Sequence, residues 1–515
     1  MAESGFRKWI ITITVIFASL LEIVDTTVVN VALTNIMGNL GATLEEVAWL
    51  ITAYAVANVI ILPMSGWLSA KFGRRNYFVF SIMLFTLASL GCGNSTNIWE
   101  LALFRFIQGI GGGALLSTSQ SILFETFKPE ERGMANAIFG IGVVIGPTLG
   151  PTLGGFITDH FSWPWIFYIN LPLGIIAALL AMYYIRDQKE VQKPPRVDWW
   201  GIMLLITSVG ALQVVLERGE AEDWFETTYI SLLTLVSIIG VLLFIWREMS
   251  IDHPVVDLRI LKDRSLAIGM IFTFVLGFGL YASVFVLPIF VQNLLGFTAQ
   301  QTGEIFIPSG LVTIIVMPIV GTLLKKNFPA QLLAACGFVL FFVFTSQLSQ
   351  QTLASGEHDF FYPLLIRGIG MGFLFVPLTT LALSGLNHRN MAQGVGLNNM
   401  MRQLGGSFGV ALMTTFIQQR VAKHFNDLIA HVTVYDTQVQ QRLTAYTQAF
   451  IQKGYAYADA QQVALKALNG AVMKQAMLMA YTDAFWIVGV FFLFCIPFLA
   501  FQRKSKAAVA VEGAH

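Results

Sequence analysis

Apolar residues in this chain run in unbroken blocks, separated by short stretches where charge collects. The blocks fall near 10–33, 47–69, 77–95, 99–122, 134–157, 165–185, 199–217, 227–246, 265–291, 305–324, 330–348, 360–384, 394–417 and 479–502. Each matches the roughly 20 apolar residues that cross a bilayer as a helix. Strands are not indicated, because no period-2 alternation runs through the blocks. The first block is too long for a signal-peptide core and no small-residue cleavage site follows it, so it reads as a span. The pattern predicts fourteen membrane helices. Residues 186–198 and 247–264 read as charged connectors. Residues 418–478 differ: they are rich in Gln and Ala, both good helix formers. Asp436 and Asp459 are placed as N-caps, the second with Gln462 completing a capping box, and Gly454 can end the first helix. Two outer helices are expected, near 437–452 and 460–475. A solvated insertion and a docking surface both remain open for them.

Composition narrows the class. Of 515 residues, 56% are hydrophobic and 12% are charged, against about 25% charged in a soluble domain. A chain this long cannot cover a soluble surface with so little charge, which excludes an ordinary soluble enzyme, a disordered chain and a nucleic-acid binder. The charge that exists is sorted. Arg7, Lys8, Lys71, Arg74, Arg75, Lys128, Arg132, Arg186, Lys189, Lys193, Arg196, Arg247, Arg259, Lys262, Arg264, Lys325, Lys326, Arg389, Arg503, Lys504 and Lys506 all fall on one side of the fourteen-span reading. They are 21 of the 31 Lys and Arg residues. Short loops on the other side hold only Arg218, within an acidic stretch of Glu217, Glu220, Glu222, Asp223 and Glu226. This asymmetry predicts that both termini are cytoplasmic.

The chain also repeats itself. Gln108-Gly-Ile-Gly-Gly-Gly113 in span 4 is echoed by Arg367-Gly-Ile-Gly-Met-Gly372 in span 12, and Arg132-Gly-Met-Ala by Arg389-Asn-Met-Ala. Two related halves follow. Residues 1–198 form a first six-helix bundle, 199–264 two inserted spans with their connectors, and 265–515 a second six-helix bundle that includes the outer segment 418–478. Parallel six-helix repeats are a transporter architecture, with the substrate site at the repeat interface near mid-membrane.

Ionisable side chains inside spans are costly and mark function or a buried clamp. Glu22 and Asp25 are three apart on span 1 and share a face. Burial and a neighbouring carboxylate would let one of them exchange a proton near neutral pH. Arg105, Arg367 and Arg402 are buried cations that need partners; each is either a ligand or carboxylate contact or a structural clamp. Span 5 carries Gly142, Gly146, Gly150 and Gly154 on one stripe, with Pro147 and Pro151. Close helix packing explains the stripe, and a seam along which rocking halves slide is the added expectation. Cys92, Cys336 and Cys495 are far apart and the 7 His are scattered, so no metal site is expected. No P-loop is present to support ATP drive.

Several motifs resemble one family. Asp25-Thr-Thr-Val-Val-Asn-Val-Ala-Leu33 is similar to the first-helix signature of 14-span drug:proton antiporters of the major facilitator superfamily. Gly66-Trp-Leu-Ser-Ala-Lys-Phe-Gly-Arg-Arg75 resembles the superfamily's cytoplasmic motif, and Arg105-Phe-Ile-Gln-Gly-Ile-Gly111 the motif linked to proton transfer. Gly146-Pro-Thr-Leu-Gly-Pro-Thr-Leu-Gly-Gly155 resembles the antiporter motif, and Trp163-Pro-Trp-Ile-Phe-Tyr-Ile-Asn-Leu-Pro-Leu-Gly174 a signature of the 14-span branch. Two departures stand out. Ala70 replaces an acid that normally helps latch the halves, and Thr34 replaces Pro.

The resemblance is to EmrB-type multidrug pumps of the bacterial inner membrane. It implies the all-α major facilitator fold, with export of hydrophobic compounds driven by the proton gradient and no cofactor. It implies Asp25 and Arg105 in proton coupling, to which the burial argument adds Glu22. Asn30, Gln108, Arg367, Asn398 and Arg402 are assigned to the cavity and its buried polar lining. Gly66, Gly73, Arg74 and the span 5 glycines and prolines are assigned to conformational motifs. The implied partners are a periplasmic adaptor of the EmrA type, docking on 418–478, and an outer-membrane channel of the TolC type. An exporter of one metabolite, lipid or siderophore shares every one of these features. An importer, a receptor and an enzyme fit them less well.

Overall fold

The computed structural model describes residues 5–187, 197–387 and 390–501. Lys189, Lys193, Arg196, Arg389, Arg503, Lys504 and Lys506 lie outside the described residues. Every described element is a helix. The first half holds α1 (Gly5–Leu40), α2 (Leu44–Phe72), α3 (Arg74–Asn94), α4 (Ile98–Thr126), α5 (Arg132–His160), and the pair α6 (Trp165–Tyr168) and α7 (Asn170–Tyr184) that together make span 6. Then come α8 (Trp199–Arg218) and α9 (Thr228–Ser250). The second half holds α10 (Arg264–Ile289), α11 (Ala299–Lys325), α12 (Ala330–Leu348), α13 (Phe361–Leu383), α14 (Met391–Ile429), α15 (Thr437–Gln452) and α16 (Tyr457–Cys495). Among the described residues, twelve helical segments are long and apolar enough to cross a membrane. The other two expected spans, α5 and α14, are helical over their expected lengths but are not among those twelve. Asn, Gln, Arg and Gly dilute the apolar content of α14.

Local signals explain the boundaries. Thr43 caps α2 in a full capping box with Glu46, Asn97 accepts from the Glu100 amide at 2.9 Å to start α4, and Thr298 with Gln301 repeats the box at α11. Pro63, Pro308, Pro318 and Pro377 sit inside spans, where packed neighbours can re-satisfy the freed carbonyls.

The outer segment corrects one expectation. α15 begins after Asp436, whose carboxylate accepts from the Gln438 amide at 2.7 Å, and Gly454 follows it with φ +94°. The second outer helix is not a separate piece. It starts at Tyr457 with Ala456 as N-cap, and runs unbroken into the last span as α16. Asp459 therefore lies within its first turn and caps nothing. α14 likewise continues outward to Ile429, and α15 folds back onto the outer arm of α16.

α8 and α9 pack on each other, with Gly240 against Ser208. α8 also rests against both halves. A Cβ on Gly210 would touch Ile60 of α2, and Gln213 donates to Ser407 of α14 at 2.7 Å. α9 turns most of its apolar side chains outward: Leu232, Leu235, Ile239, Leu242 and Trp246 are exposed, the surface expected of a helix that faces lipid.

The two halves meet along α5 and α11, from Thr152 with Gly303 down to Gly133 with Gly321 at the end of the molecule that carries Arg7, Lys8, Lys71, Arg74 and Lys325, hereafter the basic face. α5 packs along α11, and α2 packs on α14. A buried polar ladder ties the halves there. Asn399 of α14 donates to Gln120 of α4 at 3.0 Å, Gln120 donates to Asn136 of α5 at 3.2 Å, and Asn136 donates to Thr379 and Thr380 of α13, the latter at 3.1 Å.

Candidate functional site

The centre of the first half is a carboxylate with its polar positions filled. Asp25 on α1 is buried. Arg105 Nη1 on α4 reaches Oδ2 at 2.5 Å, while Gln108 Nε2 on α4 and Asn170 Nδ2 on α7 donate to Oδ1 at 2.9 and 2.8 Å. Arg105 and Gln108 are one turn apart on α4, which puts both on the face that meets α1. Arg105 Nη1 also donates to Gln108 Oε1 at 2.7 Å, and its guanidinium lies 4.1 Å from the centre of the Tyr54 ring. Ser89 of α3 receives the Gln108 amide at 2.7 Å. Four helices therefore build the charge–dipole cage around this one acid. A buried charge persists only when paired and hydrogen-bonded, which is the arrangement here.

The approach of α2 to α4 depends on absent side chains. A Cβ on Gly109 would sit 2.5 Å from the Tyr54 carbonyl, and one on Gly113 2.6 Å from that of Asn58. This close crossing brings Tyr54 and Asn58 to the carboxylates. Asn58 Nδ2 donates to Glu22 Oε1 at 3.0 Å. Glu22 is buried, and its Oε2 has no hydrogen-bond partner among the described residues. Across the interface, Arg402 of α14 is within electrostatic reach of Glu22, and its Nη1 is likewise buried and without a partner there. Glu22 thus faces the opposite half, whereas Asp25 is enclosed by its own.

The remaining expected site residues divide. Gln108 belongs to the Asp25 cage. Asn398 is buried but bonds within the second half, accepting from Thr273 at 2.8 Å. Arg367 is buried in the second half and bonds there to Ser283 and Ser309, with no bond to the Asp25 cage. Asn30 is a correction: it is exposed, not part of a buried polar lining. Five residues beyond Asp25, it points about 140° around the helix from it. Asn170, Tyr54, Asn58, Asn136, Gln120 and Thr379 were not singled out in the sequence. Only Asn170 had a signal, its place in the Trp163–Gly174 signature.

The conformational residues lie at the basic face or along α5. Gly66 lets α2 meet the start of α14, where a Cβ would come within 2.7 Å of the Gln393 amide nitrogen. Gly73 has φ +88° and faces the Asp187 carboxylate, which also accepts from the Arg75 amide at 2.8 Å. Arg74 pairs with Glu125 and donates to the Arg186 carbonyl at 3.1 Å. The glycine stripe of α5 is a second correction. Gly142, Gly146, Gly150 and Gly154 face Leu20, Ile23, Thr27 and Val28 of α1, in the same half. The seam toward the other half is a different face of α5, carrying Gly133, Gly140 and Thr152, which meet Leu324, Phe375 and Gly303. Pro147 and Pro151 lie within α5. A four-residue glycine spacing defines one helix face but does not say which neighbour it meets.

Ala70 leaves the usual acid missing, and another acid bridges the halves. Glu131, just before α5, binds Lys8 of α1 at 2.6 Å and approaches Lys325 of α11 at 3.8 Å. The hydrogen bond and charge of Lys8 hold the Glu131 carboxyl below the usual carboxylate value of 4.5. A depressed carboxylate adds stability above its unfolded pKa, and that stability is lost as pH falls through the folded value. Lys8 belongs to the same half, so only the smaller attraction of Lys325 links this carboxylate to closure; that bridge should hold at neutral pH and weaken as pH falls through the folded value, below the usual 4.5. Glu131→Gln should loosen it at every pH. Distances between spin labels at Glu130 and Lys326 would check this; equal distances in both proteins from pH 7 to 3.5 would remove Glu131 from the latch.

Comparison with known proteins completes the picture. The family model described as "Major Facilitator Superfamily" matches residues 15–410. The multidrug export protein EmrB of Escherichia coli K12 is 32% identical over 510 residues, covering 98% of this chain and 97% of its own. The fatty acid resistance protein FarB of Neisseria gonorrhoeae is 32% identical over 489 residues, covering 95% and 94%. Among solved structures, the human organic anion transporter MFSD10 (TETRAN) superposes with a TM-score of 0.57 at 14% identity over 94% of this chain and 99% of its own, which supports the fold alone. Full-length likeness to EmrB and the superfamily match both agree with the helical architecture described above. The chain is a multi-pass membrane transporter of the major facilitator superfamily, belonging to its EmrB-type branch.

Proposed function

We propose that this transporter exports hydrophobic, drug-like compounds from the bacterial cytoplasm or inner leaflet in exchange for protons, by alternating access. The observation that carries the reading is Asp25, buried in the first half and bound by Arg105, Gln108 and Asn170. In this reading the basic face is cytoplasmic, the membrane is the inner one and both termini are cytoplasmic. In this reading the Gln120–Asn136 ladder and the close approach of Gly133 to Gly321 shut the basic face in the state that releases drug outward. A proton arriving from outside neutralises Asp25, frees Arg105 from its counter-charge and favours the opposite closure. Return to the inward-facing state carries the proton in. The electrical part of the drive is about 2.3 kcal/mol per charge per 100 mV. No cofactor takes part. Export from proteoliposomes under an imposed pH gradient tests the reading; drug movement that ignores the gradient would refute it.

Export of one amphiphilic metabolite or lipid is the second reading, favoured by FarB, whose name concerns fatty-acid resistance. A panel of unrelated toxic compounds in cells lacking other pumps separates the two. The proposed partners are a periplasmic adaptor of the EmrA type and, through it, an outer-membrane channel of the TolC type. The tip of the outer arms presents Val434, Tyr435, Tyr455 and Tyr457 to solvent, Tyr435 at 93% exposure. Tyrosines are enriched at interfaces because they add contact area with a polar end. Replacing Tyr435, Tyr455 and Tyr457 by Ser should leave membrane insertion unchanged and abolish adaptor pull-down. Undiminished pull-down would move the docking surface elsewhere.

A further inference from the structure

The halves touch along two seams, and only one of them includes an inserted helix. α5 and α11 meet directly, from Gly133 with Gly321 to Thr152 with Gly303. The second seam lies between α2 and α14. Near the basic face these two also meet directly: a Cβ on Gly66 would strike Gln393, and one on Gly396 would stand 2.5 Å from the Leu62 carbonyl oxygen. Further out, α8 stands against both. On the α2 side, a Cβ on Gly210 would lie 3.4 Å from Ile60 and 3.6 Å from Val56. At the start of α2, Arg218 Nη1 donates to the Glu45 carbonyl at 3.2 Å. On the α14 side, Gln213 donates to Ser407 at 2.7 Å. The turn that follows α8 continues the line, with Trp224 Nε1 donating to Thr415 at 2.9 Å and Glu220 accepting from Gln418. Behind α8 lies α9, whose Gly240 packs on Ser208 and whose Leu235 and Ile239 are exposed.

We propose that α8 is a sliding wall that shuts the α2–α14 seam off from the bilayer, riding with the second half and slipping along the first. Halves that rock against each other part at one end. A parted seam inside a bilayer is open to acyl chains, which are as apolar as the side chains lining it. A helix held in the seam keeps them out, and keeps an amphiphilic cargo from escaping sideways. The bonding on the two sides of α8 decides which side slips. Toward α14 it is made of side-chain hydrogen bonds, which fix one register because they weaken steeply with distance and angle. Toward α2 it is mostly an apolar face at ordinary contact distance, which can shift with little loss. Backbone strain points the same way. Asp223 and Trp224 have φ +53° and +52°, a left-handed conformation that is costly for a bulky side chain. Such a turn persists where its surroundings hold it, and here the bonds to Thr415 and Gln418 are that hold. The wall depends on alternating access alone; only the export arm of its test rests on the reading above.

The test uses the full-length protein in vesicles whose phospholipids carry a photoactivatable diazirine on the acyl chain. Leu235 of α9 and Leu412 of α14 are exposed and should be labelled in every variant. Ser407 and Ala411 are buried, four apart on the α14 face that α8 covers, and should stay unlabelled in the wild type. Gln213→Leu with Trp224→Phe frees α8 from α14 and should bring label onto both. Label on Ser407 or Ala411 in the wild type, or none in the double variant, would overturn the wall. Reducible thiol cross-links test the sliding, with Cys92, Cys336 and Cys495 replaced by Ser. Linking Gln213→Cys to Ser407→Cys ties α8 to α14 and should leave export unchanged. Linking Val56→Cys to Gly210→Cys ties α8 to α2 and should stop export until a reductant is added. Export that survives the second link, or is lost with the first, would overturn the sliding. Absence of export before any linking would refute the export reading instead, and the lipid labelling would still decide the wall. If the double variant does not insert, the wild-type labelling and the two cross-links decide.

Discussion

Asp25→Asn should abolish pH-gradient-driven export, leaving drug movement at the leak rate of protein-free vesicles while the chain still inserts. Asparagine keeps the shape of the side chain and can still accept from Gln108 or Asn170, so the α1–α4–α7 contact survives. What it cannot do is bind and release a proton. It also leaves Arg105 buried without a counter-charge, and breaking one side of a buried pair costs about 3–5 kcal/mol. Lower expression of the single variant is therefore expected and must be separated from loss of coupling. The double variant Asp25→Asn with Arg105→Gln does this. It removes both charges, so most of the stability should return, since an uncharged pair avoids the desolvation cost. Export should stay at background. Proton-driven export by either variant would refute the coupling role of Asp25, whereas recovery of export only in the double variant would show that the pair is a structural clamp.

The sequence made the charged centre legible and the neutral one invisible, for a physical reason. Asp25 and Arg105 announce themselves because an ionised group in an apolar run is costly enough to need a purpose. Gln120, Asn136 and Asn399 carry no such penalty, so nothing in the linear pattern separates a ladder rung from a solvated turn. Their role exists only where α4, α5, α13 and α14 converge. Helix ends followed the same division. The α15 boundary was readable because Asp436 caps it locally. The break expected between 475 and 479 does not occur: Ala476, Met477 and Leu478 are good helix formers, and α16 runs through them into the last span. Similarly, the glycine spacing on α5 fixed a face and left the neighbour open, and that neighbour is α1. Ala70 flagged a missing latch acid, but Glu131 is far away in sequence and reaches Lys325 only through the fold.

Gly321→Val should cost export as severely as the loss of the proton site, by a different route. α5 and α11 cross at the basic face through two glycines. A Cβ on Gly321 would stand 3.0 Å from the Gly133 carbonyl oxygen, 3.2 Å from the Met134 Cα and 3.2 Å from the Ala137 Cβ. A Cβ on Gly133 would reach the Leu324 Cβ at 3.2 Å. Alanine at 321 asks the neighbours to yield by tenths of an ångström. Valine adds two more methyl groups against backbone and a short side chain, and none of these can swing away. The helices must separate, and the separation acts on contacts that define closure: the Glu131–Lys325 approach of 3.8 Å and the Asn136–Thr380 bond of 3.1 Å. Overpacking of this kind costs about 1–3 kcal/mol, which shifts a two-state equilibrium by roughly 5- to 150-fold. Each half keeps its own core, so insertion and thermal stability should change little while the basic face spends most of its time open. Spin labels at Glu130 and Lys326, in a background with Cys92, Cys336 and Cys495 replaced by Ser, should show a longer distance in Gly321→Val and a wild-type distance in Gly321→Ala. Wild-type distances together with wild-type export in the valine variant would show that the α5–α11 crossing is not part of the closure.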